Sequence, residues 1–159
     1  MSDQSMPYRT DCLCIHLRRI ARSVTQAYDD ALAASGIKLT QFSLLRSVER
    51  NEPAAIGTLA EELELDRTTL ARNLRPLERD GLLTTGASAH DQRVTEVRLT
   101  ARGRRAIAQA LPAWHKAQAD MARRIGTRHA DLLRELAFEL PAALQTPPAP
   151  IRRKVARTR

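Results

Sequence analysis

Apolar and polar positions alternate with helical periodicity along most of the chain. Apolar residues recur at steps of three and four over residues 11–34, 101–125 and 128–144, which predicts three long amphipathic helices. Shorter helical patterns cover "QFSLLRSVERN", which we expect Thr40 to cap, and "IGTLAEELEL". Pro112 lies within one long helix and should distort it, and Thr100 should cap the start of that helix. The pattern therefore predicts a mainly α-helical protein.

The stretch "LDRTTLARNLRPLERDGLL", residues 65–83, predicts one further helix with two different faces. An α-helix turns about 100° per residue, so three leucines fall together on one side. The opposite side, here called the basic face, carries hydroxyl and guanidinium groups: Thr68, Thr69, Arg72, Arg75 and Arg79. Asp66 should cap this helix through the N–H of Thr69, Gly81 should end it, and Pro76 should bend it slightly.

The surroundings of this helix predict a winged helix. A short helix precedes it across a tight turn at Glu64 and Leu65, which is a helix-turn-helix pattern. After Gly81, "LLTT" and "VTEVRLT" read as two strands of a hairpin whose loop runs from Gly86 to Arg93. The predicted fold is mainly α, with six helices and a small β-hairpin wing.

Composition points to a polyanionic partner. The 159 residues carry a formal net charge of +8 with a pI near 10.6, which favours nucleic acid. Aromatic residues make up only 3%, which argues against a base-stacking platform for single strands. The N-terminus has no apolar leader and no run reaches transmembrane length, so we expect a cytoplasmic protein without membrane contact.

Neither enzyme chemistry nor a metal or cofactor is predicted. The four histidines do not fall in a paired-ligand spacing, and no glycine-rich phosphate loop is present. The alternative to a sequence-specific regulator is an architectural, sequence-neutral DNA-binding protein, which the basic tail "TPPAPIRRKVARTR" permits. Base-reaching side chains at Thr68, Arg72 and Asn73 favour specificity.

Three stretches in order carry a family resemblance: "LTQFSLL", "TLAEELELDRTTLARNLRPLERDGLL" and "DQRVTEVRLTARGRRAI". Over nearly all of residues 11–144, the chain resembles the multiple-antibiotic-resistance-regulator (MarR) family of bacterial transcription factors. The resemblance implies a homodimer that binds a pseudo-palindromic duplex, in most cases as a repressor. It also implies that many relatives lose DNA affinity when a small phenolic ligand binds or a cysteine is oxidised.

The resemblance also implies a division of the chain. Residues 11–35 and 100–145 would form a helical dimerisation region, and residues 38–99 the winged helix-turn-helix. Composition, not the resemblance, predicts that residues 1–10 are a flexible leader and residues 146–159 a basic disordered tail.

Groove chemistry and the resemblance together assign candidate DNA contacts. Residues near the N-terminus of the basic helix are the candidates for base edges: Thr68, Thr69, Arg72 and Asn73. Arg75 and Arg79 lie further along and should reach phosphates. The resemblance places Arg93 in the minor groove, steadied by Asp91, and a narrow minor groove attracts such a cation.

Cys12 and Cys14, at the start of the first helix, are candidate sensors. The helix dipole and nearby arginines favour a thiolate, and the hydroperoxide-sensing branch of the family keeps a reactive cysteine near the position of Cys14. That branch has tyrosines in its second helix, where this chain has Phe42. Two alternatives remain open: soft-metal binding, with His16 as a further ligand, and simple packing of a buried thiol.

A ligand pocket is the other candidate control site. Tyr28, Phe42, Trp114 and His115 are the aromatic residues expected to line it. The alternative is that Trp114 belongs to the core, as a large aromatic residue on an apolar stripe usually does.

Overall fold

The computed structural model describes residues 11–145, which form six α-helices and three short strands. The predicted leader and basic tail lie outside these residues. In chain order the elements are α1 (Leu13–Leu32), α2 (Leu39–Asn51), β1 (Ala54–Ala55), α3 (Ile56–Glu62), α4 (Arg67–Arg79), β2 (Leu83–Ala87), β3 (Thr95–Leu99), α5 (Ala101–Ile125) and α6 (Thr127–Gln145). The predicted fold class, mainly α with a hairpin wing, is confirmed. Within residues 11–145, no helix combines the length and apolarity needed to cross a membrane.

The chain divides into two compact units at Gln118. The first unit contains the core, in which side chains of α2, α3 and α4 pack with the sheet and with the first part of α5. The innermost large side chains of this core are Leu32, Leu45, Val48, Leu59, Leu70, Leu77, Leu83 and Val97. The second unit holds the end of α5 and the whole of α6, and of the described side chains there only Ala130 is buried.

The sheet is antiparallel with strand order β1-β3-β2. Leu83 pairs with Leu99 and Ala87 with Thr95, so the hairpin continues one residue beyond Gly86. The predicted wing loop therefore began too early, since Gly86 and Ala87 belong to β2 and the loop covers residues 88–94. The two-residue strand β1, paired with β3 through Ala54 and Val97, was not predicted because it is too short to show an alternating pattern.

The predicted cap of α2 is wrong. The helix begins at Leu39, so Thr40 lies in its first turn instead of preceding it. Other side chains satisfy the first backbone donors: the Lys38 N–H donates to Oε1 of Gln41 at 2.9 Å, and the Leu39 N–H donates to Oδ1 of Asp29 at 2.7 Å. These two acceptors cover the helix start without the threonine hydroxyl.

Three helices continue through a proline: α4 through Pro76, α5 through Pro112 and α6 through Pro141. Each proline removes one backbone donor, yet each helix remains a single element. In α4 and α5, burial of an apolar face on either side of the proline holds the two halves in line.

The start of α5 lies almost against the backbone that enters β2. Thr100 caps the helix as predicted, because its Oγ accepts from the Gly103 N–H at 3.0 Å. The same hydroxyl donates to the carbonyl of Gly81 at 2.7 Å. A Cβ atom added at Gly103 would lie 2.0 Å from the Leu82 carbonyl oxygen. Only glycine therefore permits this approach of helix to strand.

We expect Gly103→Ala to destabilise the protein although alanine is the better helix former. Backbone atoms must shift to admit the methyl group, at a cost of about 1–3 kcal/mol beyond the gain in helix propensity. Gly86→Ala is the matched control, because a Cβ added there meets no atom within 4 Å. The measurement is the urea midpoint of both variants at one protein concentration. Equal midpoints for the two variants would show that the backbone around Gly103 moves to admit the methyl group without loss of stability.

Candidate nucleic-acid interface

The orientation of α4 follows from its leucines. Leu70, Leu74 and Leu77 are 0–2% exposed and belong to the core. The opposite side of the helix therefore faces solvent, with Thr69 half-buried and the rest of the basic face exposed. The helical prediction for both faces is confirmed.

The start of α4 is fixed by its cap. Asp66 accepts from the Thr69 N–H through Oδ1 at 2.8 Å and from the Thr69 hydroxyl through Oδ2 at 2.6 Å. The hydroxyl bond is the main reason why the pKa of Asp66 lies below its ordinary value. Glu64 supplies the tight turn before the cap with a positive φ of 51°. This part of the helix-turn-helix prediction is confirmed.

A shallow depression of about 390 Å³ lies along the exposed side of α4 and brings several predicted site residues together. It is lined by Arg67, Thr68, Ala71, Arg72 and Arg75. Among residues 11–145, neither Arg72 nor Arg75 has an ion-pair or hydrogen-bond partner on its side chain. The depression is therefore an uncompensated cationic surface, suited to a polyanion.

Not every predicted residue joins this depression, and one residue was missed. Asn73 and Arg79 are exposed on α4 but do not line it. Arg67 lines it, although a helical wheel centred on Arg72 places Arg67 about 140° away. Its position at the first turn, beside Thr68 and Ala71, was the signal that could have identified it.

The wing loop is held by local hydrogen bonds. Arg93 donates to Asp91 through its backbone N–H at 3.0 Å and through its guanidinium at 3.2 and 3.3 Å. The guanidinium bond is the main reason why the pKa of Asp91 is lowered. Ser88 N–H donates to the Val94 carbonyl at 2.8 Å and closes the loop. Arg93 therefore lies exposed in the wing loop with its predicted carboxylate partner beside it.

Carboxylates tie the winged helix together. Oε1 of Glu78 on α4 accepts from both the N–H and the hydroxyl of Thr85 on β2, at 2.9 and 2.6 Å. Glu62 on α3 accepts from Ser47 at 2.8 Å and pairs with Arg50, both on α2. The hydrogen bond from Arg50 is the main reason why the pKa of Glu62 is lowered. Glu78 thus fixes α4 relative to β2, and Glu62 fixes α3 relative to α2.

A third carboxylate, on Glu52, joins the end of α2 to the end of β3, at the side of the hairpin opposite the wing loop. It accepts from the Leu99 N–H at 2.9 Å and pairs with Arg104 of α5.

Both cysteines are exposed at the start of α1. Cys12 precedes the first helical residue and Cys14 lies in the first turn, and they form no disulfide. Within a single chain neither thiol is buried, since no residue in the N-terminal half of α1 belongs to the core of its unit. The choice between a sensor thiol, soft-metal binding and packing stays open. Within residues 11–145, no group of three or more histidine, cysteine or acidic side chains could hold a metal ion.

The predicted aromatic pocket residues all lie in the first unit. Tyr28 and Phe42 are buried, and the Phe42 ring centroid lies 5.8 Å from that of Trp114. Trp114 packs against the core, and its ring meets His115 edge-on at 5.1 Å. Phe42, Trp114 and His115 are linked by these two ring contacts, and the role of the four aromatic residues as a ligand pocket stays a prediction.

A capped basic helix, a tight turn before it and a hairpin wing after it define the class of winged helix-turn-helix proteins. Comparison with known proteins agrees. A family model described as "MarR family" matches residues 35–94. The M. tuberculosis transcriptional regulator MosR, solved in complex with DNA, is 38% identical, with 84% of this chain and 98% of that chain covered and a TM-score of 0.73. The chain belongs to the MarR family of transcriptional regulators.

Two further relatives widen the comparison. The transcriptional repressor CouR, solved with a 23-mer DNA duplex, covers 88% of this chain and 99% of its own at 23% identity and a TM-score of 0.75, which shows the shared fold. An organic hydroperoxide resistance transcriptional regulator of Bacillus subtilis (strain 168) is 31% identical over 91 residues. That match spans 57% of this chain and 62% of the relative's length.

Proposed function

We propose that this protein is a sequence-specific regulator of transcription that binds double-stranded DNA, most simply as a repressor. The observation that carries the proposal is the unpaired cationic surface of α4, which the buried leucine face turns to solvent. MosR and CouR, which share the fold, were both solved with DNA. Burial and charge support the proposal that α4 reads the major groove.

The candidate DNA contacts divide into groups according to the part of the duplex that each can reach. Thr68, Thr69, Arg72 and Asn73 lie nearest the N-terminus of α4 and contact base edges, since Arg recognises guanine and Asn recognises adenine with paired hydrogen bonds. Arg75 and Arg79 neutralise phosphates and supply affinity without sequence information. At the wing, Arg93 enters the minor groove while Asp91 holds its guanidinium in place.

Arg72→Ala tests the base-reading role. We expect the affinity for the specific site to fall by about 1–3 kcal/mol and sequence preference to relax, because one paired contact is lost. Fluorescence anisotropy with duplex from the gene's own upstream region, against scrambled duplex, measures both effects. Arg128→Ala, an exposed arginine of α6, is the control and should change neither.

Two other outcomes decide against parts of the proposal. An equal loss for specific and scrambled duplex would leave Arg72 a phosphate contact. Equal binding of the unaltered protein to every genomic duplex tried would favour the architectural alternative.

We infer that the regulator is a homodimer, with residues 11–35 and 100–145 as the dimerisation region and residues 38–99 as the DNA-binding region. Each unit exposes large apolar side chains of a kind that isolated domains usually bury. Leu13 and Leu17 of α1 are 77% and 50% exposed, and Phe138 and Leu144 of α6 are 86% and 82% exposed. Such runs of exposed apolar residues are typical of helices covered by a second subunit.

Phe138→Glu should weaken the dimer by about tenfold or more, because a buried aromatic ring is replaced by a charge that loses water. The side chain is 86% exposed within one chain, so its own subunit does not need it to fold. Sedimentation velocity over a concentration series gives the dissociation constant. Thr84→Glu on β2 adds the same charge to an exposed strand position and should leave the dimer intact. A Phe138→Glu protein as dimeric as Thr84→Glu would remove this residue from the interface.

We further propose that oxidation of Cys14 controls DNA affinity. Both thiols are exposed, and the hydroperoxide resistance regulator of B. subtilis is a relative over 91 residues. A Cys14 thiolate takes the terminal oxygen of an organic hydroperoxide, which forms a sulfenic acid and releases the corresponding alcohol. The new polar group then lies on a helix start inside the inferred dimerisation region, where it disturbs packing between subunits.

Oxidant response is measured by anisotropy on the specific duplex before and after cumene hydroperoxide, and again after added thiol. We expect the unaltered protein and Cys12→Ser to release DNA and recover with thiol, while Cys14→Ser keeps its affinity throughout. If Cys14→Ser releases DNA fully after hydroperoxide, the reactive thiol would be Cys12 instead. Binding that ignores hydroperoxide in all three proteins would favour a phenolic ligand at Tyr28, Phe42, Trp114 and His115 instead.

A further inference from the structure

The wing loop is closed by hydrogen bonds at both of its ends. At its start, the Ser88 N–H donates to the Val94 carbonyl at 2.8 Å, and the Ser88 hydroxyl oxygen accepts from the His90 N–H at 3.2 Å. At its far end, the Val94 N–H donates to the Asp91 carbonyl at 2.9 Å, in addition to the bonds between Asp91 and Arg93. The backbone on both sides of His90 is therefore held in place, while the His90 side chain is exposed.

A half-buried carboxylate of β3 lies close to His90. Glu96 accepts a hydrogen bond from the Ser88 hydroxyl and pairs with Arg98 at 2.7 Å. The bond from Ser88 is the main reason why the pKa of Glu96 lies below its ordinary value, and the nearby His90 lowers it further. Glu96 therefore stays ionised through the neutral range and attracts the His90 ring when that ring is protonated. The buried Ser88 hydroxyl joins the His90 backbone to this carboxylate.

The other charges around His90 balance one another. Besides His90, residues 83–99 carry four charged side chains, which form two ion pairs: Asp91 with Arg93 in the loop, and Glu96 with Arg98 on β3. The strand β2 has no titratable side chain, and the Glu78 carboxylate, which reaches β2 from α4, is bound to Thr85. Protonation of His90 therefore determines how the net charge of the wing changes near neutral pH.

The position of His90 in the loop indicates which part of a duplex it can meet. Arg93, three residues further on, is the side chain proposed above to enter the minor groove. His90 is anchored through Ser88 to the strand end of the loop. A cation at that place meets the sugar-phosphate backbone at the edge of the groove, where contacts add affinity without reading bases.

We propose that protonated His90 is a second cationic DNA contact of the wing and donates to a backbone phosphate beside the minor groove. A protonated imidazole forms a charge-assisted bond to phosphate, which is stronger than the bond that a neutral ring can donate. Proton uptake by His90 then accompanies DNA binding, so affinity falls as the pH rises through the range in which imidazole titrates. This inference rests on the proposed function, because it requires the wing to lie on DNA.

Fluorescence anisotropy of the full-length protein on the specific duplex, at about pH 6 and about pH 8, tests the inference. We expect binding to be about tenfold tighter at the lower pH, since each wing of the inferred dimer gains a charge-assisted bond. The logarithm of the affinity should also fall more steeply with the logarithm of the salt concentration at the lower pH, by about 0.9 for each wing, because each wing neutralises one more phosphate.

Three variants separate the charge of His90 from its packing. His90→Gln keeps a hydrogen-bonding side chain and should bind at both pH values as the unaltered protein does at the higher one. His90→Lys carries its charge throughout and should bind tightly at both. Glu96→Gln can still accept from Ser88 but lacks the negative charge, so the midpoint of the pH profile should move to lower pH. His129→Gln, at an exposed histidine of α6, is the matched control and should keep the full pH dependence.

Two results would overturn the inference and leave the proposed function intact. One is selective binding with the same affinity and the same salt dependence at both pH values. The other is a pH dependence that His90→Gln retains, which would assign the titrating group to another part of the chain. If no duplex is bound selectively at either pH, the proposed function fails, and this inference fails with it.

Discussion

Burial of three leucines determines which way α4 faces, and the remaining features of the interface depend on it. Leu70, Leu74 and Leu77 are almost fully buried, and burial of each such side chain contributes about 1.5–3 kcal/mol. Rotation of the helix by one residue would expose leucine and press an arginine toward the core, where a charge without a partner costs several kcal/mol. The basic face therefore points outward because no other rotation is tolerable. The surface charge is a consequence of the core.

Hydrogen bonds between elements add to apolar burial in fixing the relative positions of the helices and strands. Glu62 binds α3 to α2, Glu52 binds α2 to β3 and α5, and Glu78 binds α4 to β2. Each of these carboxylates accepts from groups on a different element, so each fixes a relative position that apolar packing alone would leave adjustable. Close approach at Gly103 adds a fourth constraint, at the point where α5 leaves the hairpin. The interface is thus held by few contacts, and most of them are made by acidic residues in a basic protein.

Periodicity was sufficient to predict the six helices, and residue types at their ends predicted the cap at Asp66 and the turn at Glu64, because each depends on residues close in sequence. The pair of Asp91 and Arg93 was predicted only through the family resemblance. Predictions failed where distant residues decide. Asp29, ten residues before Leu39, accepts from the start of α2 and helps to make a cap at Thr40 unnecessary, and β1 exists only because β3 lies beside it. The cavity lined by residues 35–41, 79–82 and 102–109 could not be predicted, since these segments meet only in the fold. Exposure of the cysteines likewise depends on where the core ends.

The bonds between Glu78 and Thr85 join the recognition helix to the strand that carries the wing. These bonds hold α4 and the wing at a fixed distance from each other. If α4 reads the major groove and Arg93 the minor groove, as proposed, a bound duplex must present these two neighbouring grooves at that separation. Sequences that narrow or twist easily would fit at low cost, and stiff sequences would not, whatever their base edges offer. Part of the discrimination between sites would then come from the mechanics of the double helix, at base pairs that no side chain touches.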